Sequence, residues 1–326
     1  MSISLYDKDG RDYPLVSMIS VFYNREYCVK KSVQSMLDQT YPNIEIILVD
    51  DKSTDNTLKE LKHFENDQRV RVITHANKGF TIALKNAIED LSNGEFIAIH
   101  GSGDISYPDR ILNQVDLCTN NKRVGFVSCW YENLNEDEEL KEIIKPKSIL
   151  SNNRMTNHNY SHGEIMYRRE AYNSVNGYRS FLKIGQGTDI WKRLNNAGWD
   201  SEVVNKVSYK RYMRKGGVSK DRRALSRRAL LDAVLMVRNT KEENVDTLDK
   251  VFDVEPLTGG LLFRMNSKVA LVSFKESIKL LADKDYEYAK LFFSLSVKCD
   301  WKYSMLWPLF LSSTVGKIII YLQKKL

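Results

Sequence analysis

Three carboxylates, one imidazole and one basic run stand where their types and spacing could do chemistry. In "HGSGDISYPDR", His100 to Arg110, the apolar run "FIAI" opens into a loop whose one carboxylate before Pro108 is Asp104. In "VDDKSTDNT" a strand-like run ends at two aspartates. Asp51 there either helps cap the next helix or accepts a hydrogen bond from a uracil imide N–H. Asp189 precedes "IWKRL", a place where Asp often caps a helix. His162 in "YSHGEIMYRRE" stands before Gly163, where it can simply shape a turn. In "YKRYMRKGGVSKDRR" the cations Arg211, Arg214, Lys215, Lys220, Arg222 and Arg223 crowd together. Arg forks of that kind bind phosphate oxygens bidentately, and a basic loop of that kind also binds anionic lipid.

The elements that must position these groups are read from periodicity. Apolar runs alternate with amphipathic stretches from Leu15 to Val127, the signature of an α/β unit with a mostly parallel sheet. "LVSMISVFY", "IEIILVDD", "VRVIT" and "EFIAIH" read as strands; "REYCVKKSVQSMLDQT", "STDNTLKELKHFEN" and "GFTIALKNAIEDLS" read as helices. This order sets Tyr23, Asp51 and His100 at strand ends on one sheet edge, where open α/β folds bind ligands. The middle third is less regular: "EDEELKEI" reads as a solvated charge run, and "TDIWKRLNNAGW" as a helix ending at Gly198.

With 326 residues the chain has room for a large domain and an appendage. A 42% apolar and 10% aromatic composition excludes disorder, and a net charge of +7 fits an anionic partner. Four cysteines without C-x-x-C spacing give no zinc or disulfide framework, which predicts reduced thiols in the cytoplasm. The N-terminus carries no secretory signal pattern. After about Asp221 the chain turns helical: "RRALSRRALLDAVLMVRN" is amphipathic, and "SKVALVSFKESIKLLADKDYEYAKLFFSLSVKCD" reads as two helices. The tail "WKYSMLWPLFLSSTVGKIIIYLQKKL", about residues 300–326, is too interrupted to span a bilayer. It fits equally an interfacial helix or a helix docked on the main domain.

Taken together, these motifs resemble a family. "MISVFYNRE", "SMLDQTYPNIEIILVDDKSTDNT", the set Asn77, Gly79, Ala83 and Asn86, "GEFIAIHGSGDISYPDR", "HGEIMYRREAYNSVNGYR" and "DIWKRLNNAGW" run collinearly. Over residues 14–220 the chain resembles a family 2 glycosyltransferase of the GT-A fold. The resemblance implies a Rossmann-like mixed α/β sheet over residues 1–222, flanked by helices, with a helical region over 223–326. It also implies an inverting transfer from a nucleoside diphosphate sugar. Carried over residue by residue, Val21, Tyr23 and Asn24 fall at the nucleotide base, Asp51 at uracil or its equivalent, and Asn77 and Lys78 at ribose or phosphate. Ser102 falls in the loop under the diphosphate.

Departures from the family pattern are equally specific. Aligned on Pro108, the expected Asp-x-Asp-Asp is Gly101, Ser102, Gly103 and Asp104, so Gly103 stands where the metal aspartate is expected. Mn²⁺ or Mg²⁺ on Asp104 alone is not excluded, but it is held weakly. Counting back from Arg193, the expected Glu-Asp pair is Gln186 and Gly187, which leaves Asp189, two residues on, as base or as cap. His162 matches a position near the acceptor, where it hydrogen bonds the hydroxyl or shapes a turn. Arg211, Arg214 and Lys215 stand near the place of a metal-site His, so the basic run is expected to stabilise the leaving diphosphate.

The function expected is therefore transfer of a sugar, most simply from a UDP-sugar, to a growing, lipid-linked surface glycan. The expected site is the cytoplasmic membrane face, with the C-terminal helices able to form an oligomer interface. The other reading is a catalytically impaired module that binds nucleotide or glycan or scaffolds a synthesis complex. Nucleic-acid binding ranks last, since no interleaved aromatics accompany the basic run.

Overall fold

The computed structural model describes residues 13–76, 78–135, 137–151, 159–180, 182, 185–213, 225–226, 229, 267–300 and 302–303, without the side chains of 267, 268, 298 and 299. Two compact units divide the chain at 214/215; the sequence placed the change of character at 222/223.

The first unit carries one sheet in the order β3-β2-β1-β4-β8-β6-β9-β5, with β7 paired to β6. Its parallel part is the one foreseen: β1 (Val16–Phe22), β2 (Ile44–Asp50), β3 (Val70–Thr74) and β4 (Phe96–Ile99). β1 and β2 are nearly continuous apolar runs because helices cover both faces. α1 (Val29–Leu37) and α4 (Arg110–Asn120) pack on the side of Val16, Met18 and Phe22. α3 (Phe80–Asn86), α5 (Arg169–Ser174) and α6 (Gln186–Asn196) pack on the side of Ile19 and Val21. Phe22, Asp50 and Thr74 lie in register, so the carboxyl ends of β1, β2 and β3 form one level edge. Between β2 and β3 the expected long helix is short, α2 spanning Thr57–Lys62.

The rest of the sheet was not foreseen. β5 (Ile105–Ser106), β6 (Val124–Leu134), β8 (Met166–Arg168) and β9 (Asp200–Tyr212) continue it past β4. β8 runs antiparallel to β4, with Ala98 opposite Met166 and Ile99 N donating to Ile165 O at 2.8 Å. Residues 162–165 thereby arrive at the same edge as the carboxyl end of β4. β9 runs antiparallel to β5, Ile105 facing Lys210 and Ser106 facing Tyr209, which brings the end of β9 beside Asp104. The second half of the charge run expected to be only solvated, residues 140–143, is part of strand β7 (Leu140–Ile144), largely exposed and paired to β6. Arg211, expected in a loop, belongs to β9.

Arg110 locks this junction. Its guanidinium is fully buried and donates to Ile99 O at 2.8 Å, Ser106 Oγ at 2.9 Å and Gln114 Oε1 at 3.2 Å, with its carbon 5.0 Å from the centre of the Tyr209 ring. Gln114 in turn donates to Val127 O and Glu164 O. One cation thus ties β4, β5, α4, β6, the segment before β8, and β9.

In the second unit, α7 (Ser267–Ala282) and α8 (Tyr286–Cys299) form the two foreseen helices. Asp285 caps α8 by accepting from Tyr288 N, and Phe274, Ile278, Leu281, Phe292 and Phe293 are buried. No helix among the described residues is long and apolar enough to cross a membrane. Residues 304–326 of the tail lie outside the described residues.

Arg110→Ala removes three hydrogen bonds and opens a cavity at this junction. It is expected to lower the unfolding free energy by about 3–5 kcal/mol, read as a lower urea midpoint.

Candidate active site at the carboxyl edge of the sheet

At one end of the edge, the segment after β1 and the loop after β2 brace each other. Asn24, in the left-handed region at φ 50°, donates its N–H to Ser53 Oγ at 3.0 Å and accepts from Thr54 N at 2.8 Å. Arg25 N donates to Thr57 Oγ1 at 2.7 Å, and Asn56 N to Glu26 Oε2 at 2.8 Å. The expected capping and base-binding residues are therefore also the struts of this loop. Asp51 is buried, and its two oxygens accept from Lys78 N at 2.9 Å and Gly79 N at 3.0 Å, with His75 Nδ1 3.5 Å away. Asp51 thus fixes the loop that precedes α3 against β2. Asp50, beside it, accepts from Ser53 N and Thr74 Oγ1. Tyr23 is 48% exposed and Lys78 is exposed, whereas Val21 is buried in the core beneath this end. Asn77 lies outside the described residues.

Further along the edge, the loop after β4 is built around Asp104. Its carboxylate accepts from Tyr209 Oη–H at 2.8 Å and from Tyr212 N at 3.0 Å, so it clamps the loop to β9. Tyr209 Oη also accepts from Gly101 N at 2.9 Å. A Cβ on Gly101 would collide with the Asp104 carboxylate. Gly103 has φ 92°, a conformation that an aspartate adopts only with strain, and its N–H donates to Ser32 Oγ at 3.0 Å. Ser102 is half-buried in the same turn.

Among the described residues no three His, Cys, Asp or Glu side chains are grouped to hold a metal ion. A lone carboxylate with both oxygens in a structural clamp does not fit a protein-held divalent cation, which needs several oxygen ligands. Arg211 follows Lys210 in β9 and is half-buried one residue from the clamped Tyr212 N. Arg214 and Lys215 lie outside the described residues.

Asp189 corrects the capping expectation. Position 185 caps α6, with no side-chain cap bond, and Asp189 sits a turn inside the helix. Its buried carboxylate accepts from Arg193 Nε at 2.9 Å and Nη2 at 2.7 Å, and Arg179 Nη1 lies 3.4 Å from the other oxygen. Arg193 continues to Val175 O and Gly177 O, so the group pins α6 to the turn after α5. The i,i+4 spacing of Asp189 and Arg193 was the available signal for this pair.

His162 lies where three loops meet. Its Nε2 is 2.7 Å from Tyr178 Oη, and its ring packs edge-on to Phe80, the first residue of α3, at 5.6 Å. At Gly163, next to it, an added Cβ would collide with Tyr209 Oη and crowd Gly101 N. The site residues that periodicity missed are Tyr209, Tyr178 and Arg110. Their part depends on which strands pair, and nothing local marks it.

The comparisons with known proteins agree with this architecture. Residues 17–175 match the family described as Glycosyl transferase family 2. Over that stretch, just under half of the chain, the protein is of the glycosyltransferase family 2 type. EpsE of Bacillus subtilis (strain 168), named as a glycosyltransferase, is 27% identical over 253 residues, 75% of this chain and 88% of that protein. WfgD of Escherichia coli, a UDP-Glc:alpha-D-GlcNAc-diphosphoundecaprenol beta-1,3-glucosyltransferase, is 31% identical over 146 residues, 45% of this chain and 56% of that one. The chain therefore spans most of one relative and little more than half of the other. Among solved structures, residues 1–349 of S. aureus TarS in complex with UDP-GlcNAc share the fold at a TM-score of 0.57 and 16% identity, over 90% of this chain and 86% of that one. The mannosyltransferase PcManGT of Pyrobaculum calidifontis, in complex with GDP-Man and Mn2+, does so at 0.55 and 16%, over 89% and 88%. The mixed sheet with its flanking helices is the GT-A type of glycosyltransferase.

Under the glycosyltransferase's edge lie two buried titrating groups, both within the field of Arg110. Burial pushes Glu164 up to about 7, against hydrogen bonds from Ser161 N and Ser128 Oγ and the Arg110 charge, which pull the other way. Burial, with the Arg110 charge second, lowers His100 to about 3. Between about pH 4.5 and pH 7 the folded Glu164 holds a proton that the unfolded chain has released, so this group subtracts stability as pH rises through that window. The folded His100 lacks a proton that the unfolded chain binds, so it subtracts stability as pH falls below about 6.5. From pH 4.5 to 6.5 the two slopes oppose each other.

Glu164→Gln keeps an acceptor for Ser161 N and removes one slope. Its advantage in thermal midpoint over wild type is expected to be absent at pH 4.5, to grow through neutrality and to be full by pH 8. At that pH it should correspond to on the order of 3 kcal/mol, at ~1.4 kcal/mol per pH unit. Midpoints measured across that range check it.

Proposed function

We propose that the chain moves a sugar, with inversion, from a nucleoside diphosphate sugar, a UDP-sugar in the first instance, to a growing surface glycan carried on a lipid. The observation that carries this reading is the convergence at one sheet edge of Tyr23, Asp51 with the loop it fixes, Asp104 and His162. Each comes from a different crossover, at the place where open α/β sheets take ligands. The relatives support the substrate class: WfgD is named for UDP-Glc and a diphosphoundecaprenol-linked GlcNAc, and TarS has been solved with UDP-GlcNAc.

In this reading the nucleotide base rests by Tyr23 and Val21, with Asn24 bracing and Asp51 at the imide edge. Asn77 and Lys78 lie by the ribose and phosphates, and Ser102 under the diphosphate. Charge developing on the leaving nucleoside diphosphate is met by Arg211, and by Arg214 and Lys215 on the strength of their place in the sequence. Asp104 positions that run by holding the end of β9. No step passes through a metal. The tail's apolar and lysine-ended sequence supports a peripheral place on the cytoplasmic membrane face, and the C-terminal helices offer a surface for self-association.

UDP-, GDP-, CDP- and dTDP-sugars are the panel for thermal shift and nucleotide release, each with and without Mn²⁺. A UDP-sugar is expected to raise the midpoint by mass action, and release should persist in EDTA. Loss of activity in EDTA that Mn²⁺ restores would return the charge role to a metal. The absence of release with all four donors would leave a nucleotide- or glycan-binding module. Asp104→Ala is expected to lower turnover at least ~100-fold by releasing the end of β9 and its cations. Binding of a chain ending at Asn239 to anionic liposomes as tightly as the full chain would remove the tail from membrane attachment.

A further inference from the structure

A buried polar atom without a hydrogen-bond partner is a place where a ligand's hydrogen bond gains most, and one such atom lies at the nucleotide end of the edge. β3 runs parallel to β2 with Asp50 in register with Thr74. The next residues of the two chains, Asp51 and His75, therefore leave the sheet side by side. The His75 side chain is 17% exposed, and its Nδ1 lies 3.5 Å from Asp51 Oδ1. Its other ring nitrogen, Nε2, is buried and has no hydrogen-bond partner among the described residues.

The partners of Nδ1 assign the tautomer. Nδ1 is 2.7 Å from Ala76 O, and a carbonyl oxygen only accepts, so the proton is on Nδ1. The Asp51 carboxylate beside it favours the same arrangement. The neutral ring then presents a lone pair at Nε2. An unpartnered hydroxyl can rotate toward another group, whereas this ring is held at Nδ1 and keeps Nε2 where it is.

Asp51 is already committed to the backbone. Its oxygens accept from Lys78 N at 2.9 Å and Gly79 N at 3.0 Å, and Gly79, at φ 82°, takes the turn that those bonds require. The carboxylate thus orients the loop after β3 and the imidazole next to it. The acceptor left over at this end of the edge belongs to the imidazole.

We infer that His75 selects the nucleobase, its Nε2 accepting the ring N–H of a diketo pyrimidine, uracil or thymine. The inference rests on the transferase reading above and names the atom that meets the imide there, with Asp51 as the positioning residue behind it. Uracil and thymine carry a hydrogen on N3 and complete the bond. Cytosine has a lone pair at N3, which would face the Nε2 lone pair and leave two acceptors unsatisfied. The bond forms out of water, where it discriminates most. A site that hydrogen bonds a ligand N–H rejects the analogue lacking it more strongly than an apolar pocket rejects a change of size.

UDP, dTDP, CDP and GDP share a diphosphate, so differences in their dissociation constants report the base. Titration calorimetry on the full chain is expected to show UDP and dTDP bound at least ~10-fold more tightly than CDP. His75→Phe keeps a planar ring and removes the acceptor. It should weaken UDP to within about threefold of CDP and leave CDP unchanged. His75→Gln sets a terminal amide near the Nε2 position, able to turn either its oxygen or its NH2 to the base. It should hold UDP within about threefold of wild type and strengthen CDP about tenfold. A merely structural role for His75 predicts equal losses for UDP and CDP. That result, an unchanged UDP-to-CDP ratio in His75→Phe, or a wild type that does not prefer UDP to CDP, overturns the inference. Where the Phe variant fails to fold, the Gln variant decides alone, and unchanged CDP binding in it overturns the inference. Failure of the wild type to bind any of the four nucleotides counts against the transferase reading itself, so the two failures are told apart.

Discussion

A buried guanidinium sets the terms for this site. Arg110 cannot be solvated, so every neighbouring group must be arranged to satisfy it; its direct partners come from four stretches of chain, and Gln114 extends the network to two more. Ile99 O ends β4, Ser106 is in β5, Gln114 relays to β6 and to Glu164, and Tyr209 lends its ring from β9. The same charge helps hold His100 neutral directly under the edge. A cation at this depth imposes specificity on the packing as well as stability: a sheet registered differently would leave it unpaired.

That constraint explains why the loop after β4 looks depleted in its chemistry yet is closely determined in its conformation. Tyr209 is fixed from below by Arg110 and presents its hydroxyl above, where it accepts from Gly101 N and donates to Asp104. Asp104 then reaches Tyr212 N, so the loop and the end of β9 move as one piece. A carboxylate that would otherwise recruit a divalent ion instead fixes the strand leading into the basic run. Charge complementarity to a diphosphate can therefore come from positioned side-chain cations, which need no metal shell but do need a rigid strand behind them.

How much of this could be read beforehand depends on the range of the interactions. The parallel strands and their crossovers are written in local periodicity, and Tyr23, Asp51 and His100 fall at strand ends as the pattern requires. β6, β8 and β9 join the sheet by pairing with partners distant in sequence, and β7 is a short, exposed strand at the end of a charge run, so short apolar runs or solvated charge were all that the sequence displayed. The same limit divides the site. Asp104 and His162 stand out by residue type, whereas Tyr209 and Tyr178 are ordinary tyrosines until the fold brings them under a carboxylate and an imidazole. Asp189 shows a different limit. An aspartate near a helix start has several possible partners, and here the arginine four residues on takes its carboxylate in place of a backbone amide.

Three glycines leave the room that this packing needs. Gly101 leaves room for the Asp104 carboxylate, Gly103 holds a positive φ to return its N–H to Ser32, and Gly187 leaves room for His162. An aspartate at 101 would strike the clamp and one at 103 would strain the turn. At 187 it would displace the imidazole or the Trp191 ring. A carboxylate placed at any one of these positions would therefore disturb a contact in its own turn. The loop after β4, the end of β9 and the first turn of α6 each depend on a residue without a side chain, and their packing holds the edge in shape.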